Sequence, residues 1–433
     1  MFDSARKHCG EGAPFELRGV KGLVSENKIP EPLEKAMLRA KHNVSVFRDG
    51  TCRFDATNVP ITYFTPAEIQ TSVQKLRKLG YSKDIEGAEL KSEGQVCRLL
   101  PQDVLLSENG IEYMKNISKF VDDLLVCLYG MRPYYNMESK EDLVGALVVG
   151  ISPHTSAGML ERIIGFTKAH VGYAHPYLIA ARRRNCDGDE DCMLLLMDAL
   201  LNFSRAYLPT SRGGTMDAPL VLTINVEPAE VDDEVHAMEI CWEYPLSFYE
   251  AAEKFASASD AGLKLVKDVL GTPAQYGDFG YTHATSSINA GPLSSTYVTL
   301  ETMEEKVNAQ FALQKKLRCV DLQDAASRVI LNHFLPDMYG NLRSFSRQTF
   351  RCVECNSIYR RPPLIGKCSA CGGKLLLTIN KGNIEKYLDL ASRMAREYGL
   401  PDYMKQRFEL IRQDIRSIFV DEKSKQVGLS DFI

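Results

Sequence analysis

The chain has 433 residues, 45% of them hydrophobic and 25% charged, and a formal net charge of −4 at pH 7. This composition is typical of a globular protein with roughly two to four domains, and it excludes a global basic field of the kind that attracts nucleic acid. The first residues lack the apolar core of a signal peptide, and no run approaches the roughly 18 apolar residues of a membrane span. The twelve cysteines therefore indicate a cytoplasmic protein without a membrane partner, in which metal binding is favoured over disulfides.

Capping residues and hydrophobic periodicity predict an α+β, multidomain chain. Thr65-Pro66-Ala67-Glu68 supplies an N-cap, a first-turn proline and a capping-box glutamate, which predict a helix that ends at about Leu79. Short apolar runs favour buried strands, whereas longer ones favour helices. On this basis the further elements are a helix over 111–129, a strand over 143–150, a helix over 157–166, a strand over 176–181, a helix over 191–207, a strand over 220–226, short helices between 228 and 270, a loop over 271–299, and helices over 301–318, 321–335, 383–398 and 401–419.

These elements group into seven predicted regions. The regions are an irregular N-terminal part at 1–60, a helical region at 61–140, a region at 141–240 that contains an Asp-Gly-Asp loop, a helical accessory region at 241–345, a cysteine-rich ribbon at 346–380, C-terminal helices at 381–420 and a tail at 421–433. Cys9-Gly10 in the first region resembles half of a metal knuckle, but no first half precedes it, so a ligand role and an ordinary cysteine both stay open.

Residues 182–191 are the most informative segment, and they read Arg-Arg-Arg-Asn-Cys-Asp-Gly-Asp-Glu-Asp. Asp187 and Asp189 are separated by one glycine, which lets the backbone bend so that both carboxylates point at one ion. Hard oxygen ligands of this kind suit Mg²⁺, which also takes phosphate oxygens as ligands. The run Arg182, Arg183 and Arg184 suits a phosphate-bearing substrate. The segment therefore predicts metal-assisted phosphoryl or nucleotidyl transfer, at a predicted junction from strand to helix.

A second interpretation of this segment is a solvated surface turn, since acidic Asp-Gly turns are common. An EF-hand calcium loop fits badly because the apolar residues after Asp191 supply no glutamate at the last ligand position. The segment 150–158 contains His154 and Thr155 among turn residues, which favours hydrogen bonds to a phosphate or sugar, although a turn with a helix cap explains it equally well. His175 before Pro176 is either structural or a ligand.

Two cysteine pairs near the C-terminus predict a structural zinc site. Cys352 and Cys355 form the first Cys-x2-Cys knuckle, and Cys368 and Cys371 form the second. Each knuckle can place two thiolates on one tetrahedral ion, at Zn–S distances of about 2.3 Å. Gly372-Gly373 after the second knuckle permits a close turn.

The last eight residues resemble a peptide that binds a replicative sliding clamp (PCNA). Gln426, Leu429 and Phe432 follow the pattern Gln-x-x-Leu-x-x-Phe, and Ile433 stands where a second aromatic residue is usual. A short helical turn brings the apolar members onto one face, with Gln426 bonding beside them. The pattern predicts a clamp partner.

Taken in this order, the motifs resemble the C-terminal part of the large catalytic subunit of archaeal D-family DNA polymerase (DNA polymerase II). The likeness is densest at 182–191, at Gly340 to Phe350 leading into the cysteine module, and at the clamp peptide. The resemblance implies an active site built from two double-psi β-barrels, as in cellular RNA polymerases. One barrel carries the Asp-Gly-Asp loop, here Asp187 to Asp189, and the position of a third aspartate in the RNA polymerase loop is Asn185 here.

The resemblance also implies the reaction and the partners. These are template-directed nucleotidyl transfer by Mg²⁺ ions on a DNA primer–template with dNTPs, structural Zn²⁺, a small subunit with a 3′–5′ exonuclease held by the terminal helices, and an upstream half of the large subunit with the basic barrel. Because the family's subunit is longer, the chain is expected to be a fragment, a split-gene half or a truncated copy.

Three rival classes remain open from the sequence. A non-enzymatic replication adaptor would use only the zinc module and the clamp peptide. An RNA polymerase-like subunit would share the Asp-Gly-Asp loop but has no evident use for a replication clamp. A structural zinc protein would carry the acidic turn without function.

Overall fold

The computed structural model describes residues 2–10, 16–20, 31–152, 155, 157–207, 220–277, 279–280, 287–290, 292–376, 379 and 381–419. Contacts divide the chain into two compact units, Met1–Ser294 and Ser295–Ile433. The predicted region boundaries at 240 and 345 both fall inside these units, because the segments around them pack into larger cores. The predicted tail at 421–433 lies outside the described residues.

The first unit is built around a mixed β-sheet. The strands of this unit are Phe54–Pro60 (β1), Tyr63–Phe64 (β2), Cys97–Arg98 (β3), Asp103–Ser107 (β4), Leu147–Ile151 (β5), Ala157–Thr167 (β6), Val171–Ala174 (β7), Glu190–Leu195 (β8) and Val221–Thr223 (β9). β2 and β3 pair with each other in a separate two-stranded sheet, and the other seven strands form the mixed sheet. The order of hydrogen-bonded neighbours is β4-β7-β1-β8-β5-β6, and β4 also pairs with β6, so these six strands close into a barrel that β9 extends. The β1–β7 and β4–β6 pairs are parallel, and the remaining pairs of the closed ring are antiparallel.

Alternation along β5 and β8 places side chains on both faces of the sheet. Val149 and Ile151 pack with Cys192 and Leu194 in one apolar cluster. Their neighbours Val148, Met193 and Leu195 face the other way and join the largest core cluster. Both strands are thus apolar on two faces, which is typical of strands covered on each side.

Helices cover the barrel. In the first unit they are Phe2–His8 (α1), Leu33–Lys41 (α2), Val73–Lys78 (α3), Glu108–Cys127 (α4), Pro176–Ala181 (α5), Leu196–Asn202 (α6), Asp233–His236 (α7) and Leu246–Glu253 (α8). The longest, α4, buries Met114, Ile117, Val121 and Leu124 at helical spacing. Gly110 lets α4 approach β1, since a Cβ at this position would lie 2.7 Å from Cζ of Phe54.

Three predicted elements around the acidic segment have the wrong type. Residues 157–166 form β6 instead of a helix, because pairing with β5 and β4 overrides the helix propensity of Met159, Leu160 and Glu161. Residues 176–181 form α5 instead of a strand, because His175 caps the helix and Pro176 occupies its first turn. The predicted helix at 191–207 begins as strand β8, which lies between β1 and β5, and becomes helical only at α6.

The N-terminal half also departs from prediction. Residues 1–60 are not irregular throughout, since they contain α1, α2 and β1, and the predicted helical region at 61–140 contains β2, β3 and β4. Thr65 and Glu68 do form the predicted capping contacts, at 2.9 and 3.3 Å. The helix does not continue from them, because Gln70 adopts a left-handed φ of 56° and α3 begins after a second cap at Ser72.

The second unit is helical with a small cysteine-bearing sheet. Its helices are Thr296–Thr299 (α9), Met303–Gln314 (α10), Leu322–Val329 (α11), Leu335–Arg347 (α12), Lys381–Glu385 (α13), Leu388–Glu397 (α14) and Asp402–Phe419 (α15), and a π-helical segment, Ile330–Phe334, joins α11 to α12. Its strands Phe350–Cys352 (β10), Ile358–Tyr359 (β11) and Leu375–Leu376 (β12) pair in the order β11-β10-β12. These helices share one apolar core, which includes Phe334, Tyr387 and Phe408. Within the described ranges, no helix of the protein has the length and apolar character of a membrane span.

Candidate active site and metal centre

The acidic segment is a loop on the barrel, between α5 and β8. It therefore follows a helix and precedes a strand, which reverses the predicted order. The loop is short, so its two ends, Arg182 and Asp191, lie close together at its base. Both end residues are buried, whereas Asp187 and Gly188 are exposed.

An ion pair closes the base of the loop. Nη1 of Arg182 lies 2.7 Å from Oδ2 of Asp191, and the two side chains are 3% and 2% exposed. Oδ1 of Asn58 on β1 accepts a hydrogen bond from Nη2 of Arg182 at 3.4 Å. Arg182 was predicted to contact phosphate, but the structure places it at the C-cap of α5 with its guanidinium in the interior, where Asp191 pairs with it.

A second buried carboxyl group shares the same arginine. Oε1 of Glu161 lies 3.4 Å from Nε of Arg182, and the Glu161 side chain is fully buried. Burial raises the pKa of Glu161 to about 8, an effect that Arg182 opposes and that Asp191 reinforces. The interior of the barrel therefore holds one guanidinium, that of Arg182, beside two buried carboxyl groups. Burial also raises the pKa of Asp191, and Arg182 again opposes the shift.

The exposed part of the loop carries the two predicted metal ligands. The Asp189 side chain is 42% exposed and lies 3.9 Å from Nη1 of Arg184. Oδ2 of Asp189 also accepts a hydrogen bond from the backbone N–H of Asn185 at 3.3 Å. Gly188 has a φ of 101°, a conformation that residues with a side chain rarely adopt, and this bend separates the two aspartates. The backbone shows the predicted bend at Gly188, and the convergence of both carboxylates on one ion stays a prediction.

Neighbouring segments hold the loop against the barrel. The backbone N–H of Asn58 donates to the carbonyl of Asp189 at 2.9 Å. The hydroxyl of Ser152 donates to the carbonyl of Arg182, and the N–H of Thr155 donates to the carbonyl of Ser152 at 3.0 Å. The structure thus brings the predicted Thr155 segment next to the base of the loop. His154 lies outside the described residues.

The exposure of the loop residues determines where a substrate could meet this site. The cavity beside Asn58, Arg182 and Asp191 measures about 20 Å³, which is close to the space of one water molecule and far too small for a nucleotide. A phosphate-bearing substrate would instead meet the exposed carboxylates and Arg183 on the outer side of the loop. Two carboxylates leave the other positions around an ion such as Mg²⁺ free for water and substrate oxygens.

His175 fits the structural alternative. It is fully buried, and its Nδ1 accepts a hydrogen bond from the N–H of Tyr177 at 3.2 Å, which caps α5. Its ring packs against Tyr177 and Phe279. Burial lowers the pKa of His175 to about 3, so the ring is neutral and belongs to the core.

The four predicted zinc ligands lie together in the second unit. The Sγ atoms of Cys352, Cys355, Cys368 and Cys371 all lie within 4.8 Å of one another. The Cys352–Cys371 and Cys355–Cys368 sulfur pairs are each 3.5 Å apart. Four thiolates around one tetrahedral zinc would be roughly 3.8 Å apart, given Zn–S bonds of about 2.3 Å. The cluster is thus able to hold a metal ion of this size.

The two knuckles fold in the same way. The N–H of Asn356 donates to the carbonyl of Cys352 at 3.2 Å, and the N–H of Gly372 donates to that of Cys368 at 2.8 Å. Both turns then reach a positive φ, 58° at Asn356 and 75° at Gly372. A Cβ on Gly373 would lie 2.9 Å from Sγ of Cys352, which explains the second glycine.

Cys9 does not join such a cluster. It is buried beside Ala5, and its thiol lies 3.9 Å from the carbonyl of Glu34. Over the described part of the chain, the cysteines of the zinc module form the only group of three or more ligand-type residues able to share an ion. Gln426, Leu429, Phe432 and Ile433 lie outside the described residues.

Sequence reasoning missed Glu161 and Asn58 as supports of the loop. Glu161 had one signal: it stands with Arg162 inside the segment 157–166, whose other residues are apolar or glycine. Read as part of a helix, it would have faced solvent. As part of β6 it faces the barrel interior, so the error in secondary structure hid its role.

Comparison with known proteins identifies the class as a DNA polymerase component. The sequence profile of the family described as DNA polymerase II large subunit DP2, catalytic domain, matches residues 10–306. The chain is 53% identical over 436 residues to the DNA polymerase II large subunit of Archaeoglobus fulgidus, which covers 100% of this chain and 38% of that relative. The same subunit of Methanococcoides burtonii is 54% identical with the same coverage, and that of Natronomonas pharaonis is 51% identical with 36% of its length covered.

The chain therefore belongs to the family of DNA polymerase II large subunits and contains its catalytic domain. The family named from the sequence is confirmed, and the matched region is the C-terminal part of these relatives. The chain spans about two fifths of their length.

Proposed function

We propose that this chain carries the metal-binding half of a DNA polymerase active site, which performs template-directed nucleotidyl transfer from dNTPs to a DNA primer. The observation that supports this most directly is the loop at 182–191: two exposed carboxylates on a glycine bend, above a buried base, within a DNA polymerase catalytic domain. The closed barrel, with its two parallel strand pairs, is our candidate for the double-psi barrel of the family.

In this proposal the residues of the chain have distinct tasks. Asp187 and Asp189 hold Mg²⁺, and Asn185 shapes the turn through its N–H bond to Asp189. The ion supplies neutralisation of triphosphate charge and a lowered pKa of the primer 3′-hydroxyl. Arg183 and Arg184 bind phosphates on the exposed side, and Thr155 and His154 supply hydrogen bonds near them. These contacts position the substrate and carry no sequence information.

The cysteine cluster is proposed to hold one structural Zn²⁺, since all four positions would be occupied by thiolates. Proposed partners are the remaining upstream part of the large subunit, a small 3′–5′ exonuclease subunit contacted by the terminal helices, and the sliding clamp. Among the alternative classes, the catalytic-domain match favours a polymerase over an adaptor, an RNA polymerase-like subunit or a purely structural zinc protein.

Reconstitution tests the proposed function. The chain alone is expected to be inactive, because the basic barrel of the family belongs to the missing upstream part. Adding that part and the small subunit is expected to restore Mg²⁺-dependent extension of a labelled primer. Strong extension by the chain alone would contradict the division of the active site, and no extension by the full complex would contradict the polymerase proposal.

The clamp-binding tail carries a separate prediction. Leu429 and Phe432 would each bury an apolar side chain worth about 1.5–3 kcal/mol. Replacing both with alanine is expected to weaken clamp binding by roughly a hundredfold or more, measured by calorimetry with the tail peptide. As a matched change in the opposite direction, Ile433→Phe should tighten binding. Equal affinity of the double variant and the natural peptide would show that the resemblance is accidental.

A further inference from the structure

A buried ion pair between Arg182 and Asp191 lies at the base of the acidic loop, and we call this pair the lock. Arg182 begins the loop, Asp191 is the second residue of β8 just after the loop, and their ion pair at 2.7 Å joins the two flanks of the loop inside the barrel. Coulomb attraction is strong there because little water screens it. Removing Arg182 would leave the buried Asp191 carboxyl group without its cationic partner, and removing the Asp191 carboxylate would leave Arg182 with Glu161 alone. Loss of one partner of a buried pair is far more costly than loss of a surface pair.

Further contacts connect this pair to the exposed carboxylates. Asn58 accepts from the Arg182 guanidinium through its side chain and donates to the carbonyl of Asp189 through its backbone. Ser152 donates to the carbonyl of Arg182. The position of the guanidinium is therefore coupled through Asn58 to the backbone at Asp189, one of the proposed metal ligands.

The barrel wall leaves room for this cluster. A Cβ on Gly150 of β5 would lie 1.8 Å from Oε1 of Glu161 and 2.7 Å from Cδ of Arg182. A larger residue at this position would displace both side chains. Glu161 lies on the far side of the Arg182 guanidinium. Among the described residues, Arg182 is its one ion-pair partner.

We propose that Arg182 and Asp191 are positioning residues: their buried pair fixes the ends of the acidic loop so that Asp187 and Asp189 face one cation. This inference rests on the proposed function, because it explains how the loop at 182–191 would hold its two proposed metal ligands in place. It also gives Arg182 a role inside the barrel, in place of the phosphate contact that the sequence predicted. Both side chains are buried away from solvent, so they act through the backbone of the loop.

The test compares two variants with a matched control. Asp191→Asn removes the charge and keeps the shape, and Arg182→Lys keeps the charge and loses the planar fork. The control is Glu31→Gln, which breaks the Arg39–Glu31 pair, also at 2.7 Å with both side chains fully buried. The other hydrogen bonds of this pair go to the backbone of Val20, Arg18 and Gly50, not to the loop. Thermal melting identifies a temperature at which each variant is folded.

The first readout is trypsin cleavage after Arg183 and Arg184, located by mass spectrometry on the whole chain. Release of the loop ends should speed this cleavage at least about tenfold in Asp191→Asn and Arg182→Lys, whereas Glu31→Gln should match the natural chain. This measurement needs no activity, so it tests the lock even if the proposed polymerase function fails.

The second readout is the Mg²⁺ concentration for half-maximal primer extension by the reconstituted polymerase. Loss of groups that orient metal ligands typically weakens metal affinity about 10–100-fold. The expected result is a shift of this size in both lock variants, with most of the rate recovered at saturating Mg²⁺, and no shift in Glu31→Gln. An unchanged Mg²⁺ requirement in a folded lock variant, an equal shift in the control, or failure of both lock variants to fold would overturn the proposal. Loss of Mg²⁺ dependence in the unaltered complex would instead count against the proposed function.

Discussion

Replacing Asp187 or Asp189 with alanine is expected to lower primer extension by the reconstituted polymerase on the order of 10³-fold or more, equivalent to about 4 kcal/mol of transition-state stabilisation. The physical reason is that these two carboxylates are the protein ligands of the proposed Mg²⁺ site, so removing either one halves the ligand set. Both are exposed or half-exposed, so their removal leaves the barrel core intact. Thermal stability should therefore change little.

The matched control for this prediction is Glu190→Ala, which removes another exposed carboxylate one residue beyond Asp189. Glu190 begins β8 and pairs in register with Thr57, so it lies on the strand and not on the bend. Its removal should leave extension within a few-fold of the natural rate. Aspartate variants that retain extension within tenfold would end the assignment of the loop to metal binding.

The second large effect is expected at the cysteine cluster. Cys368→Ser should reduce the zinc content from about one ion per chain to none, because structural zinc binding is worth roughly 10–16 kcal/mol and is coupled to folding. Cys368 is buried, and the hydroxyl oxygen of Tyr359 lies 3.0 Å from its Sγ atom. Hydrogen exchange should accelerate across the segment 350–376, whereas the helices around Phe334 and Tyr387 should keep their protection.

Cys319→Ser provides the control, since Cys319 is an exposed cysteine of the same unit outside the cluster. It should retain zinc and protection. Metal analysis by mass spectrometry measures both variants. Full zinc content in Cys368→Ser would refute the four-cysteine site.

The four-cysteine cluster was predictable because the residues that specify it are close together in the sequence. Each Cys-x2-Cys pair needs a tight turn and a residue that tolerates positive φ, and the sequence supplies Asn356 and Gly372. The spacing of the ligands therefore specifies most of the structure around them. Gly188 was predictable for the same reason, since one bend defines its role.

The barrel was less predictable because its strands are specified by distant partners. No residue close to β6 in the sequence indicates that β4 and β5 will pair with this strand. Met159, Leu160 and Glu161 favour a helix in isolation, and only the sheet reverses that preference. The buried role of Arg182 was hidden similarly, because an arginine beside acidic residues usually remains in solvent.

The most direct test of the metal loop is to locate the ion. Crystals of the full polymerase with primer–template, a non-hydrolysable dNTP and Mn²⁺ in place of Mg²⁺ would yield anomalous scattering from the metal. We predict a peak bound by the carboxylates of Asp187 and Asp189 and by oxygens of the nucleotide triphosphate. A fully occupied nucleotide site whose manganese is held by other residues, with none at this loop, would contradict the account.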